Sequence, residues 1–180
     1  MLNNILKSLD IKKIILFLSS VAIISYYRVI PHPANFSPAL SMLIFLSSIL
    51  GNKAGYSAIV LGLLLSDLSL ETEEHQYFLY LFYALPALLS SRFLNFNLLM
   101  NNFSKIEITK YARSSTNIVL TSSLLFFVFS NLFVFLTGNL YTINFGGLIL
   151  CYYMALPFFK VSLIGDLVFT SIFLTAVMGY

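Results

Sequence analysis

The chain has 180 residues, 59% of them hydrophobic and 9% charged, with a formal net charge of +3 and a mean hydropathy of +0.90. A soluble domain carries about 25% charged residues, and one of similar size leaves roughly 30% of its unfolded surface in contact with water. Composition therefore argues against an ordinary soluble fold and for lipid as the solvent, in a single transmembrane domain, residues 1–180, of about six spans of roughly 20 residues each.

Charges and prolines cut the apolar runs into elements. Lys7, Lys12 and Lys13 precede Ile14 to Tyr27, a pattern that imitates a signal peptide. The run ends in Tyr26-Tyr27-Arg28 with no small-x-small cleavage site, so an uncleaved first helix is expected. Pro31-His32-Pro33-Ala34-Asn35-Phe36-Ser37-Pro38 cannot continue a helix and forms a corner. A second span is expected from Ala39 to Leu50, a polar turn at Gly51-Asn52-Lys53, and a third span from Ala54 to Ser66, meeting Asp67. Both are shorter than a bilayer requires, which leaves two shielded spans or one re-entrant hairpin.

Glu71, Glu73, Glu74 and His75 form an acidic connection, read as a solvated loop rather than a cation site. The fourth span runs from Tyr77 to Ser91, with a kink expected at Pro86 and Arg92 closing it. The stretch from Asn95 to Arg113 is the most polar in the chain and reads as a loop. The fifth span, Ser114 to Thr137, has 24 residues without a charge, enough to cross with some tilt. Leu140 to Phe159 is apolar but interrupted by Asn144, Gly146, Gly147 and Pro157, and reads as an external loop partly inserted in the membrane. The last span starts near Val161 and contains Asp166. No internal repeat is visible, which disfavours an inverted-repeat transporter within one chain.

Six spans put Lys7, Lys12, Lys13, Lys53, Arg92, Lys105, Lys110 and Arg113 on one side, against Arg28 and Lys160 on the other. This asymmetry places the N-terminus and C-terminus in the cytoplasm of a multi-pass protein of the cell membrane. It also explains the basic balance without a nucleic-acid partner, because the basic residues do not form a stripe interleaved with stacking aromatics. The single cysteine, Cys151, excludes an internal disulfide and a cysteine-based zinc site.

Ionisable groups at membrane depth are expensive unless paired or used. Arg28, Asp67 and Asp166, with His32 and Asn35 from the proline corner, are the candidates for lining an outward-facing pocket that holds a small polar ligand. The alternative is that Arg28 pairs with Asp67 or Asp166 simply to seal the helix ends. Lys160 is a fourth, weaker candidate, the alternative being that its stem snorkels to the interface. The fifth span carries Asn117, Ser122, Ser123, Ser130 and Asn131, and Asn131 either meets the ligand or bonds a neighbouring helix. Tyr141 and Tyr152 are further candidates, although tyrosine is common at interfaces whatever the function. Gly146-Gly147 offers a flexible point for a lid. No catalytic motif is found: His32 and His75 sit in no metal spacing, and neither a Gly-x-Ser-x-Gly elbow nor a phosphate-binding loop is present. No enzyme activity, metal or cofactor is expected.

The run Arg28-Val29-Ile30-Pro31-His32-Pro33-Ala34-Asn35-Phe36-Ser37-Pro38 resembles a family of bacterial membrane proteins of unestablished function. That family is regarded as related to the substrate-binding S components of energy-coupling factor (ECF) transporters. The resemblance continues in Leu65-Ser66-Asp67, in Ser130-Asn131-Leu132-Phe133-Val134-Phe135-Leu136, and from Gly147-Leu148 through Cys151-Tyr152 to Ala155-Leu156-Pro157-Phe158-Phe159. It implies an all-α bundle of six transmembrane helices in the bacterial inner membrane that captures a vitamin- or micronutrient-like molecule from outside. It also implies an ECF-type coupling protein and ATPases as partners, beside the lipid bilayer. On that last point the chain departs from the pattern. Its first span offers Ser19, Ser20, Ala22 and Ser25 instead of small residues spaced by four, so solitary operation stays open. Two other readings also stay open: a membrane-embedded enzyme acting on a lipid, with His32 and Asp67 as acid and base, and a non-catalytic scaffold subunit.

Overall fold

Prolines and one glycine decide where the early helices stop. In the computed structural model, which describes residues 2–70, 76–94, 96–101 and 104–178, helix α1 covers Leu2–Val29. It gives way to the corner at 30–38, where Asn35 takes φ 64°. Helix α2, Ala39–Leu50, starts as soon as the prolines end, with the Ser37 hydroxyl accepting from the Ala39 N–H at 3.2 Å. Its end is Gly51 at φ 89°, a conformation that costs a side-chain-bearing residue dearly. Helix α3, Asn52–Asp67, begins at the next residue, so the turn between α2 and α3 is a single glycine.

The chain resumes in α4, Gln76–Leu79, passes through a 3-10 turn at Tyr80–Tyr83 and continues as α5, Ala84–Phe93. Pro86 has no N–H for the carbonyl of Phe82, one turn earlier. The irregularity therefore lies ahead of the proline, at Tyr80–Tyr83, rather than at the proline itself. Short α6, Phe96–Asn101, leads to α7, Lys105–Thr137, and α8, Phe145–Met178. All regular structure among the described residues is helical.

Two expectations are corrected. Most of the polar stretch from Asn95 to Arg113 is helical, as α6 and the first turns of α7. Ser104 caps α7 by accepting from the Glu107 N–H, so Ser104-Lys105-Ile106-Glu107 starts a helix in the manner of a capping box, and its charges line solvated turns. Leu140 to Phe159 is likewise no loop beyond Asn144. The Asn144 Oδ1 accepts from the Gly147 N–H at 2.8 Å and caps α8, which then runs unbroken through Pro157 and past Val161. Gly146 and Gly147 are in its first turn and do not form a lid. Glycine is needed at 147 because a β-carbon there would strike the Thr142 carbonyl. α1 also starts well before Ile14. Glu71, Glu73, Glu74 and His75 lie outside the described residues.

α2 is the centre of the bundle. Residues 39–47 are all buried, and the helix touches α1, α3, α5, α6, α7 and α8. Its apolar side chains form the core with Ile24, Ile59, Leu63, Ala87 and Val119. Its hydroxyls bond outward: Ser41 donates to the Asp166 carbonyl at 2.7 Å, and Ser48 meets the Tyr111 hydroxyl at 2.9 Å. Close approach depends on missing side chains. A β-carbon at Gly55 would lie 2.6 Å from the Ser47 backbone nitrogen, and one at Gly62 would lie 2.9 Å from the Ile24 β-carbon.

The outer surface is apolar. Ile14, Leu18, Tyr26, Ile149, Tyr153 and Ile172 are all at least half exposed. Lys105–Thr137 and Phe145–Ala176 are long and apolar enough to cross a membrane.

Gly55→Ala is expected to lower the thermal midpoint of the detergent-solubilised protein, since overpacking of this kind costs about 1–3 kcal/mol. Gly146→Ala, whose β-carbon would meet only Asn144 at 3.4 Å, is expected to leave the midpoint unchanged or raise it. Helical circular dichroism on heating measures both. An unchanged Gly55→Ala midpoint would mean that α2 and α3 are not in backbone contact.

Candidate functional site

Two helices end in opposite charges. Arg28 belongs to the last turn of α1 and Asp67 is the last residue of α3. The Arg28 Nη1 donates to the Asp67 Oδ1 at 2.7 Å, forming the one salt bridge found among the described residues. The Asp67 side chain is 2% exposed and that of Arg28 is 21% exposed, so the acid is the deeper partner.

The same nitrogen lies 2.9 Å from the Ser66 Oγ and 3.1 Å from the Leu63 carbonyl. Ser66 sends its own proton to Leu63 at 2.6 Å and so receives from the guanidinium. Tyr80 completes the unit by donating to the Asp67 Oδ2 and accepting from Arg28 at 3.3 Å. The Asp67 carboxylate therefore has a donor on each oxygen, as a buried charge requires.

Beside this unit is a cavity of about 270 Å³, at the small end of ligand pockets, which run from about 300 to 1,000 Å³. Arg28 forms one wall. His32, Asn35 and Ser37 reach it from the proline corner. His32 is fixed there by its Nδ1, 2.8 Å from the Ile30 carbonyl, and by ring contact with Tyr27 at 4.8 Å between centroids. Tyr80 and Tyr83 both line it because side chains three residues apart eclipse one another in a 3-10 turn. Opposite are Ser123 and Phe126 of α7 and Ser162 and Asp166 of α8. Asp166 is 3% exposed, and its Oδ2 accepts from Ser123 at 2.5 Å.

A second cavity, of about 260 Å³, adjoins the first and shares Asn35, Leu79, Ser123, Phe126 and Ser162 with it. Asn131 lines this one, but its Nδ2 donates to the Phe127 carbonyl of its own helix at 2.7 Å.

Of the residues singled out from the sequence, Arg28, His32, Asn35 and Asp166 converge on the first cavity. Asp67 stands behind its wall, holding Arg28 and Tyr80. Tyr152 does not line either cavity: its hydroxyl bonds the Val128 carbonyl at 2.7 Å and its ring meets Phe127. Tyr141 sits in the connection between α7 and α8, also away from both cavities. Tyr80, Tyr83 and Ser162 are not among the residues singled out from the sequence, and Ser123 is there only as a polar residue of the fifth span. The tyrosine pair spaced by three just before a proline is a usable signal once the 3-10 turn is anticipated. Ser162 carries none, because its place depends on which face α8 turns inward.

The chain belongs to the family of unknown function DUF6580, which matches residues 8–179. No curated protein and no solved structure matches it. The family match takes in every residue of both cavity walls.

Arg28→Met is expected to be strongly destabilising, by about 3–5 kcal/mol, because it leaves the Asp67 charge buried and unpaired. The double variant Arg28→Met/Asp67→Leu should cost clearly less than the sum of its single substitutions. A double-mutant cycle on thermal unfolding measures this; a coupling below about 0.5 kcal/mol would mean that the pair does not act as a unit.

Proposed function

We propose that the protein is an integral membrane transport protein of the bacterial inner membrane. In this reading it is a polytopic bundle of about six transmembrane helices that captures a small molecule from the outer side, in the manner of an S component. The observation that carries the reading is the cavity. Charged and polar residues from five parts of the chain wall an interior space of about 270 Å³, while the outer surface of the bundle is apolar. A scaffold subunit has no need of such a space. The sequence resemblance described above points in the same direction.

The helices can be set in a bilayer on these terms. α7 and α8, of 33 and 34 residues, extend roughly 50 Å each at about 1.5 Å per residue. They exceed the hydrocarbon thickness of about 30 Å, and the polar first turns of α7, Lys105 to Arg113, project into water. α2 and α3, of 12 and 16 residues, are too short to cross unaided. α2 is shielded by the helices around it, which removes the cost of lipid contact at its ends. The excess of basic residues on one side sets the N-terminus in the cytoplasm. Arg28, Asp67 and the cavity then lie toward the outer side.

Capture would begin with entry past the proline corner, whose Asn35 borders both cavities. Reorientation of the bundle, alone or with a coupling protein and ATPases, would follow. The enzyme reading has less support, because its two groups are committed elsewhere: His32 to the Ile30 carbonyl, and Asp67 to Arg28 and Tyr80.

The protein is expected to require detergent for release from membranes, and to retain a small molecule that native mass spectrometry detects after purification. Ser162→Phe, placed where the two cavities meet, should lose that molecule. Ser171→Phe, on the exposed face of α8, should keep it. Absence of any retained molecule from the unaltered protein, or equal retention by both variants, would overturn the proposal.

A further inference from the structure

Among the described residues, two carboxylates stand near the first cavity, and one of them is paired with a cation. Asp67 is matched by Arg28 and bonded by Tyr80. Asp166 is equally buried, yet it forms no salt bridge with any described residue and receives one hydroxyl, that of Ser123. The Ser41 hydroxyl close by is given to the Asp166 backbone carbonyl and to Thr170, not to the carboxylate. A buried carboxylate with a single neutral donor lacks the compensation that burial demands, and this one borders an interior space.

The remaining wall suits a cation. Tyr80, Tyr83 and Phe126 line the same space, and aromatic rings attract organic cations. Arg28 does not reverse the balance, because its contact with Asp67 offsets its charge. Asp166 is then the carboxylate of the cavity wall that no cation among the described residues pairs. A metal ion fits poorly, since no group of three or more histidine, cysteine, aspartate or glutamate residues gathers among the described residues.

We infer that the captured molecule is a small organic ammonium ion, its cationic head against Asp166 and its apolar part against Tyr80, Tyr83 and Phe126. This inference rests on the capture reading above and narrows it to a substrate class.

The test uses the full chain in lipid nanodiscs and three probes. These are choline, its neutral isostere with tert-butyl in place of trimethylammonium, and tert-butylacetate as an anion of similar bulk. Calorimetric titration should show choline binding at least about tenfold more tightly than the neutral isostere, a gap of about 1.4 kcal/mol. Asp166→Asn should abolish the gap, while Ser171→Ala, on the exposed face of α8 and in neither cavity wall, should retain it.

Equal binding of choline and its isostere, or tighter binding of the anion, would overturn the cation assignment and leave capture standing. If none of the probes binds, the retained molecule decides: a basic amine or quaternary ammonium supports the assignment, and a neutral or acidic molecule overturns it. If no probe binds and nothing is retained, capture itself falls.

Discussion

The contact between Arg28 and Asp67 joins two helix ends that would otherwise not tolerate each other's surroundings. Asp67 closes α3, where the unsatisfied carbonyls already make a negative pole, so an acid there is unfavourable by itself. Arg28 reverses this twice over, by pairing the carboxylate and by donating to the Leu63 carbonyl of the same final turn. Tyr80 then ties the start of the next helical segment to the pair. The cavity lies against this unit, and its walls are as stiff as the unit makes them.

The rest of the arrangement follows from the burial of α2. A helix of 12 residues can sit at the centre of such a bundle only if its neighbours come close and its polar groups are met. Gly55 and Gly62 allow α3 to approach α2 and α1 respectively, the kind of contact that small residues make between membrane helices. Ser41 reaches across to the backbone of α8 beside Asp166, so the core and the cavity share a border. The position of Asp166 therefore depends on how α8 packs on α2 and α7, and a repacking of that border would move the acid.

Legibility varied from element to element. Ala39 to Leu50 could be bounded to the residue, because a proline stands before it and a glycine after it, and both act locally. The proline corner was equally readable. The polar run from Asn95 to Arg113 reads as a loop on charge density, whereas Ser104 and Glu107 mark a helix start. The run from Leu140 to Phe159 reads as a loop for a different reason: Gly146, Gly147 and Pro157 look like breaks. A capped first turn absorbs the two glycines, and α8 continues through Pro157 although that residue has no N–H for the helix and crowds the carbonyl one turn earlier.

The sequence by itself determined the helical class, the apolar exterior, the early helix boundaries, and four residues that border the cavity: Arg28, His32, Asn35 and Asp166. These depend on composition and local backbone rules, which act within a few residues along the chain. Tertiary structure alone decided that Arg28 pairs with Asp67 and not with Asp166, that Tyr80 joins that pair, and that Asn131 turns to its own helix while Ser123 reaches Asp166. Each of these depends on the rotation of one helix against another. That rotation is set by packing over the whole bundle, where distances along the chain no longer measure distances in space.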